Sequence, residues 1–97
     1  LQRVLIPPAM YEYRIILNRI IDAATVELKT EIWIGGCGPV SMPAEWWRVD
    51  DTGDINPFEP EKNVARMVCS DDGLFRREAL ALMKAQAVGS YFSVFRD

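Results

Sequence analysis

A chain of 97 residues, of which 49% are hydrophobic and 26% charged, has the composition of one globular domain and not of a disordered segment. Its 14 acidic and 11 basic residues give a formal net charge of −3, so no nucleic-acid partner is expected. The absence of histidine excludes imidazole bases and imidazole metal ligands, and no apolar run approaches the ~18 residues of a membrane span.

Residues 1–9 end in a Pro7-Pro8 pair and are interpreted as an extended arm or a non-native remnant before a single domain within 1–97. The next segment, from Tyr11 to Ile21, alternates apolar and polar residues and is rich in β-branched and aromatic side chains, which favours a strand. A helix over residues 10–24 is the alternative, because an apolar stripe of helical spacing also passes through this segment.

The sequence from Thr25 to Ile34 alternates regularly and predicts a half-buried strand. Glycine and proline in residues 35–39 predict a loop after it. A short strand is expected from Glu45 to Asp50, followed by a polar turn over residues 51–54.

The segment from Asn63 to Cys69 is interpreted as a strand, with a one-turn helix after Pro60 as the alternative. Strong helix formers then predict one main helix over residues 72–88, with its cap at Gly89, and residues 91–95 predict a closing strand. The expected fold is therefore α+β, with a mostly antiparallel sheet of four to five strands and the 72–88 helix packed on it.

The main helix is apolar on two sides. One stripe, expected to cover the sheet, comprises Phe75, Ala79, Leu82 and Met83; a second comprises Leu74, Ala81, Ala85 and Val88. The small residues of the second stripe would allow close approach of another backbone, so a homo-oligomer is expected, most simply a two-fold dimer that uses this stripe. An acidic middle region and a basic C-terminal region weakly support self-association.

Exposed tryptophan and arginine side chains are enriched at binding surfaces. The candidate ligand or partner surface comprises Trp33, Trp46, Trp47, Arg48, Arg76 and Arg77. Adjacent side chains in a strand point to opposite faces, so one tryptophan of the 46–47 pair is expected in the core.

No catalytic, metal or cofactor site is predicted. Cys37 has no identifiable base, Cys69 ends an apolar run, and the aspartates of residues 50–54 lack the other ligands of a calcium loop. Two widely separated cysteines favour a reducing cytoplasm.

The sequence therefore favours a small cytoplasmic binding or interaction module that forms a homo-oligomer, with a small molecule or a protein as its ligand. A histidine-free enzyme that uses carboxylate, tyrosine or arginine groups near Trp46, Trp47 and Asp50 is the alternative. An accessory inhibitor protein from a phage or mobile element is a further alternative.

Overall fold

The computed structural model describes residues 10–49, 55–57, 64–68 and 72–96, and these form one antiparallel sheet with helices on one face. The strands are β1 (Tyr11–Asp22), β2 (Thr25–Ile34), β3 (Cys37–Ser41), β4 (Glu45–Val49), β5 (Ile55–Pro57) and β6 (Tyr91–Arg96), and the helices are α1 (Val64–Val68) and α2 (Asp72–Ala85). The strand order is β5-β4-β2-β1-β6, and β3 also pairs with β2. The predicted α+β class, with one main helix on a mostly antiparallel sheet, is confirmed.

The long β1–β2 hairpin is the centre of the sheet. The strand interpretation of the first segment is confirmed, and β1 pairs with β2 along nearly its whole length. The connection contains no glycine; instead, an Asp22 Oδ1 atom accepts a 2.8 Å hydrogen bond from the Ala24 amide. An aspartate side chain that accepts from the backbone two residues later forms a tight turn without a glycine.

The core lies between one face of the sheet and the two helices. The sheet contributes Ile15, Leu17, Val26, Leu28, Trp47 and Val94, and the helices contribute Ala65, Val68, Phe75, Ala79 and Leu82. The predicted sheet-facing stripe of α2 is thus confirmed, with Met83 partly buried at its margin. The rings of Trp47 and Phe75, whose centroids lie 4.7 Å apart, join the sheet to α2.

The strand predicted between residues 63 and 69 is wrong, because Val64–Val68 forms the helix α1. Both ends of this helix are satisfied by side chains from the sheet. The buried Glu45 carboxylate accepts from the Ala65 amide at 3.1 Å, and Arg96 Nη1 donates to the carbonyls of Met67 and Val68 at 3.3 Å. An acid at the helix start and a base at its end also complement the helix dipole, so tertiary contacts override the strand propensity of the sequence.

The main helix is confirmed, but it ends at Ala85, before the predicted limit at residue 88. Gln86, with φ at 49°, takes the left-handed position that closes the helix, and its amide donates to the Met83 carbonyl at 3.1 Å. Gly89 is therefore not the helix cap. Its φ is 93°, and its amide donates to the Leu17 carbonyl at 2.8 Å, in the turn that leads into β6.

The loop predicted over residues 35–39 is only a two-residue turn at Gly35-Gly36, because β3 already begins at Cys37. Gly38 allows this strand to lie close against β2. A Cβ atom at position 38 would lie 3.0 Å from the Ile32 carbonyl oxygen, so a larger residue there would be strained. The strands predicted at residues 45–50 and 91–95 are confirmed over Glu45–Val49 and Tyr91–Arg96.

Some predictions fall on residues that the structure does not describe. These are the arm of residues 1–9, Asp50, the turn at 51–54 and Cys69.

Candidate functional site

The face of the sheet opposite the core is the outer face, and it carries no helix from the described residues. Its members follow from the strand register, because cross-strand partners share a face. Trp33 is paired with Glu12, Trp46 with Glu27, and Tyr91 with Ile16. Their side chains therefore lie on the side away from Ile15, Leu17 and Leu28. Aromatic residues thus lie on this face from β6 across to β4.

Exposure of these aromatic side chains is large for a folded chain. Trp46 is 45% exposed, Tyr91 49% and Phe95 63%. Phe95 is the cross-strand partner of Glu12, so it lies on the same outer face as the other two. Large aromatic side chains carry much of the binding energy of protein interfaces, which makes this face the candidate site.

Arg14, in β1, lies on the outer face between β2 and β6. The guanidinium carbon of Arg14 lies 4.3 Å from the ring centroid of Trp33 and 5.2 Å from that of Tyr91. Arg14 Nε donates to Glu12 Oε2 at 2.8 Å, and the Ser93 hydroxyl donates to the same oxygen at 2.8 Å. These five residues form the Arg14 cluster, which joins β6, β1 and β2. The cation is held both by a carboxylate and by two aromatic faces.

The charges of the Arg14 cluster are stabilised by their contacts with each other. The Arg14 hydrogen bond, followed by that of Ser93, lowers the pKa of the Glu12 carboxyl, and the Glu12 hydrogen bond raises the pKa of Arg14. Both groups therefore stay ionised at neutral pH. The cluster is a preorganised polar centre within an aromatic surface.

The indole N–H of Trp33 is shut off from solvent and has no hydrogen-bond partner among the described residues. An unsatisfied buried donor costs about 1–3 kcal/mol. A chain that keeps such a donor in a tryptophan stacked on Arg14 departs from the usual rule of satisfied polar groups. Departures of this kind concentrate at functional sites, so this one supports the choice of the Arg14 cluster as part of the site.

A second polar centre, the Glu27 cluster, lies at the other end of the outer face. The Glu27 carboxylate accepts from Trp46 Nε1 at 2.9 Å, from Asn18 Nδ2 at 2.7 Å and from Arg19 Nη2 at 3.3 Å. Asn18 and Arg19 are adjacent, yet both reach this carboxylate because β1 has a bulge between Leu17 and Arg19. The bulge therefore positions two donors of β1 on one acceptor of β2.

Burial raises the pKa of Glu27, but its hydrogen bonds from Trp46 and Asn18, together with the Arg19 charge, lower it further than burial raises it. A folded-state pKa below the ordinary value of 4.5 means that the ionised form stabilises the fold. This contribution is complete above the unfolded-state pKa and is lost as the pH falls through the lowered folded-state value. The Glu27 cluster therefore contributes to the acid sensitivity of the domain.

Replacing Glu27 with glutamine is expected to lower the free energy of unfolding at pH 7 by about 1–2 kcal/mol, because an amide cannot replace all three charge-assisted hydrogen bonds. The difference from the wild type should shrink as the pH falls below about 4.5. Urea titrations at several pH values measure both effects. Glu78→Gln on α2, where the pair with Arg77 is exposed and 3.7 Å long, is the matched control and should change little. A constant difference between Glu27→Gln and the wild type down to acid pH would contradict the role of this carboxylate.

The predicted surface residues are divided by the structure between three places. Trp33, Trp46 and Arg48 lie on the outer face, since Arg48 is paired with Thr25 two residues before Glu27. Trp47 is 1% exposed and belongs to the core, so it is not a surface residue, while the expectation that one of the two adjacent tryptophans enters the core is confirmed. Arg76 and Arg77 are exposed on α2, on the other side of the sheet.

The predicted oligomer stripe lies on α2 and beyond its end. Ala81 and Ala85 are exposed and Leu74 is partly exposed, whereas Val88 is exposed in the turn that follows the helix. The stripe is thus available on the surface of a single chain, and its use as an interface stays a prediction.

Sequence reasoning missed Glu12, Arg14, Glu27, Tyr91 and Phe95 as members of a common surface. The available signal was the alternation in the predicted strands, which places Glu12, Arg14 and Trp33 on the polar side of their strands. The alternation predicts the face of the sheet on which each residue lies, but it does not predict the cross-strand partner of that residue. The register that brings Arg14 between Trp33 and Tyr91 is visible only in the assembled sheet.

The outer face combines exposed aromatic rings with two polar clusters in which a carboxylate accepts hydrogen bonds. In the part of the chain that the structure describes, no three His, Cys, Asp or Glu side chains lie together in a way that could hold a metal ion. Neither α1 nor α2 is long and apolar enough to cross a membrane. Comparison of the chain with models of protein families, with curated proteins and with solved structures finds no match.

Proposed function

We propose that this chain is a small interaction module that works as a homo-oligomer and binds a partner protein through the outer face of its sheet. The observation that carries the proposal is the set of exposed aromatic side chains on that face, organised around the Arg14 and Glu27 clusters. A sheet face is broad and nearly flat, whereas small ligands prefer concave sites. A protein is therefore the better partner for this surface.

The charges of the outer face indicate the chemistry of the partner. The carboxylates of Glu12 and Glu27 are occupied by donors within the sheet, whereas Arg48 is exposed and the Arg19 side chain is 61% exposed. The face thus offers exposed cations and aromatic rings, while Glu12 and Glu27 are already paired within the sheet and Glu31 lies opposite Arg14. A partner that combines carboxylates with apolar side chains would complement it.

The same proposal includes self-association and a reducing compartment. The exposed α2 stripe of Leu74, Ala81 and Ala85, which the sequence predicts as the contact between copies, is one of two candidate interfaces, the other being a strand edge of the sheet. Cys37 is free and exposed, which suits a reducing cytoplasm. Neither point depends on the identity of the partner protein.

Position-specific photo-crosslinking tests the binding face. A benzophenone amino acid in place of Trp46 should form a covalent adduct with another protein in the cells of origin. The same group in place of Met67, which is 73% exposed on α1 on the helix side, should form much less. Arg48→Glu in the Trp46-labelled chain should reduce the adduct by roughly fivefold or more, because it reverses a charge on the binding face.

The matched charge control is Arg77→Glu, which lies on α2 and should leave the adduct unchanged. Two results would overturn the assignment: no adduct from position 46, or an equal yield of the same adduct from position 67. An adduct whose mass is twice that of the chain identifies the partner as another copy.

A further inference from the structure

We infer that the edge of β6 that has no partner strand among the described residues pairs with the same edge of a second copy, which joins the two sheets into one continuous antiparallel sheet. This inference rests on the proposed homo-oligomer and names its interface. The argument starts from the backbone groups along β6. An unpaired strand edge presents a row of N–H and C=O groups that another strand can satisfy.

The pairing with β1 shows which backbone groups of β6 point away from β1. The Leu17 amide donates to the Ser90 carbonyl, and Gly35 on the opposite side donates to the Met10 carbonyl. Odd-numbered residues of β1 therefore direct their backbone groups to β6, and even-numbered residues direct theirs to β2. In the register of β6, the backbone groups of Tyr91, Ser93 and Phe95 then point away from β1, to this edge of β6.

The other edges in the described part of the sheet contain a residue that discourages pairing. Pro39 lies in β3 and Pro57 in β5, and proline on an edge strand removes an amide that a second strand would need. Residues 91–95 contain no proline and no charged residue, and the charged side chain of Arg96 at the end of β6 is engaged by the carbonyls of Met67 and Val68. Among the described edges, β6 is thus the one without such protection.

The sequence of β6 is nearly symmetric about Ser93. Two β6 strands related by a two-fold axis through Ser93 would place Ser93 opposite itself and Tyr91 opposite Phe95 of the second copy. All three pairs would involve residues with outward backbone groups and would form about six backbone hydrogen bonds. The Tyr91–Phe95 pairs would lie on the outer face, where aromatic cross-strand pairs are favourable, and the small serine would avoid a clash at the axis.

This symmetry has a consequence for the outer face. A two-fold axis perpendicular to the sheet keeps the helices of both copies on the same side. The two Arg14 clusters would then share one enlarged outer face, since Ser93 donates to Glu12 within each copy. A strand edge of this length buries less than a standard interface, so we expect a dissociation constant of roughly micromolar size.

Sedimentation velocity over a range of concentrations, together with far-UV circular dichroism, tests the inference. The wild type should form dimers. Ser93→Pro removes an amide at this edge of β6, and Phe95→Lys places a charge on a side chain that is 63% exposed; both should give folded monomers. Val40→Lys adds the same charge at an exposed position in β3, outside both β6 and the α2 stripe, and should leave the dimer intact.

Disulfide trapping gives a second, positive readout. In a chain with Cys37→Ser and Cys69→Ser, the variant Ser93→Cys should form a covalent dimer under mild oxidation. The proposed register places the two Cα atoms roughly 5.5 Å apart, within the range that a disulfide spans. Val40→Cys in the same background is the control and should remain largely uncrosslinked.

The outcomes separate this inference from the proposed function. A wild type that stays monomeric at high concentration overturns both the homo-oligomer and the β6 pairing. A dimer that survives Ser93→Pro and Phe95→Lys, with no trapping at position 93, overturns the β6 pairing alone. If that dimer is instead dissociated by Ala81→Glu with Ala85→Glu, the α2 stripe is the interface.

Discussion

Replacing Trp47 with alanine is expected to lower the free energy of unfolding by about 3–5 kcal/mol, the usual cost of removing a large aromatic side chain from a core. Its indole is 1% exposed, its ring packs against Phe75 at 4.7 Å, and its Nε1 atom donates to Glu45 at 3.2 Å. Since small domains have about 5–15 kcal/mol of stability in total, this loss should shift the urea midpoint far or unfold the chain.

The neighbouring tryptophan is a matched control for this prediction. Trp46→Ala removes the same side chain one residue earlier, but from the outer face, and should cost only about 1 kcal/mol through its hydrogen bond to Glu27. Trp47→Phe keeps an aromatic ring in the core and provides a milder variant if Trp47→Ala does not fold. Equal midpoints for Trp46→Ala and Trp47→Ala would contradict the assignment of the two faces of β4.

Local sequence signals were sufficient for the two long strands and for the main helix. The alternation in β2 and the helix formers of α2 agree with the tertiary structure, because each element buries the face that its periodicity predicts. The turn between β1 and β2 was harder to identify from the sequence. It lacks glycine, and its signal is the Asp22 side chain that accepts from the Ala24 amide.

The error at α1 has a different cause, because the deciding interactions come from distant parts of the chain. Its five residues are too few for a stable isolated helix. Glu45 lies 20 residues before the amide that it accepts from, and Arg96 lies 28 residues after the Val68 carbonyl. A window of neighbouring residues contains neither contact, so the β-branched composition of the segment dominated the sequence-based prediction.

The candidate site was predictable only in part for a related reason. Alternation placed Trp33 on the polar side of its strand, and the adjacent tryptophans required one of them to be exposed. The Arg14 cluster, however, depends on the order β2-β1-β6 and on the pairing of Tyr91 with Ile16. Strand order and register are set by global packing, and β6 is separated from β1 by most of the chain.

The Glu45 side chain joins the start of α1 to the core, because it accepts hydrogen bonds from the Ala65 amide and from the Trp47 indole. It is 6% exposed on the core side of β4, between the start of α1 and the Trp47 indole. Both of its carboxylate oxygens lie within hydrogen-bond distance of the Ala65 amide, at 3.1 and 3.2 Å, and Oε2 also accepts from Trp47 Nε1. A buried acid with these donors acts as the N-terminal cap of a helix that is distant in sequence.

Replacing Glu45 with alanine is therefore expected to lower the free energy of unfolding by about 2–4 kcal/mol, because it leaves two buried N–H donors without this acceptor. Glu45→Gln, which keeps the shape and one acceptor oxygen, should cost less, and Glu31→Ala on the outer face should cost least. Amide hydrogen exchange gives the local readout: the Ala65 amide should lose its protection in Glu45→Ala and keep most of it in Glu31→Ala. Unchanged protection of Ala65 together with an unchanged urea midpoint would show that α1 is held by its buried Ala65 and Val68 side chains rather than by its cap.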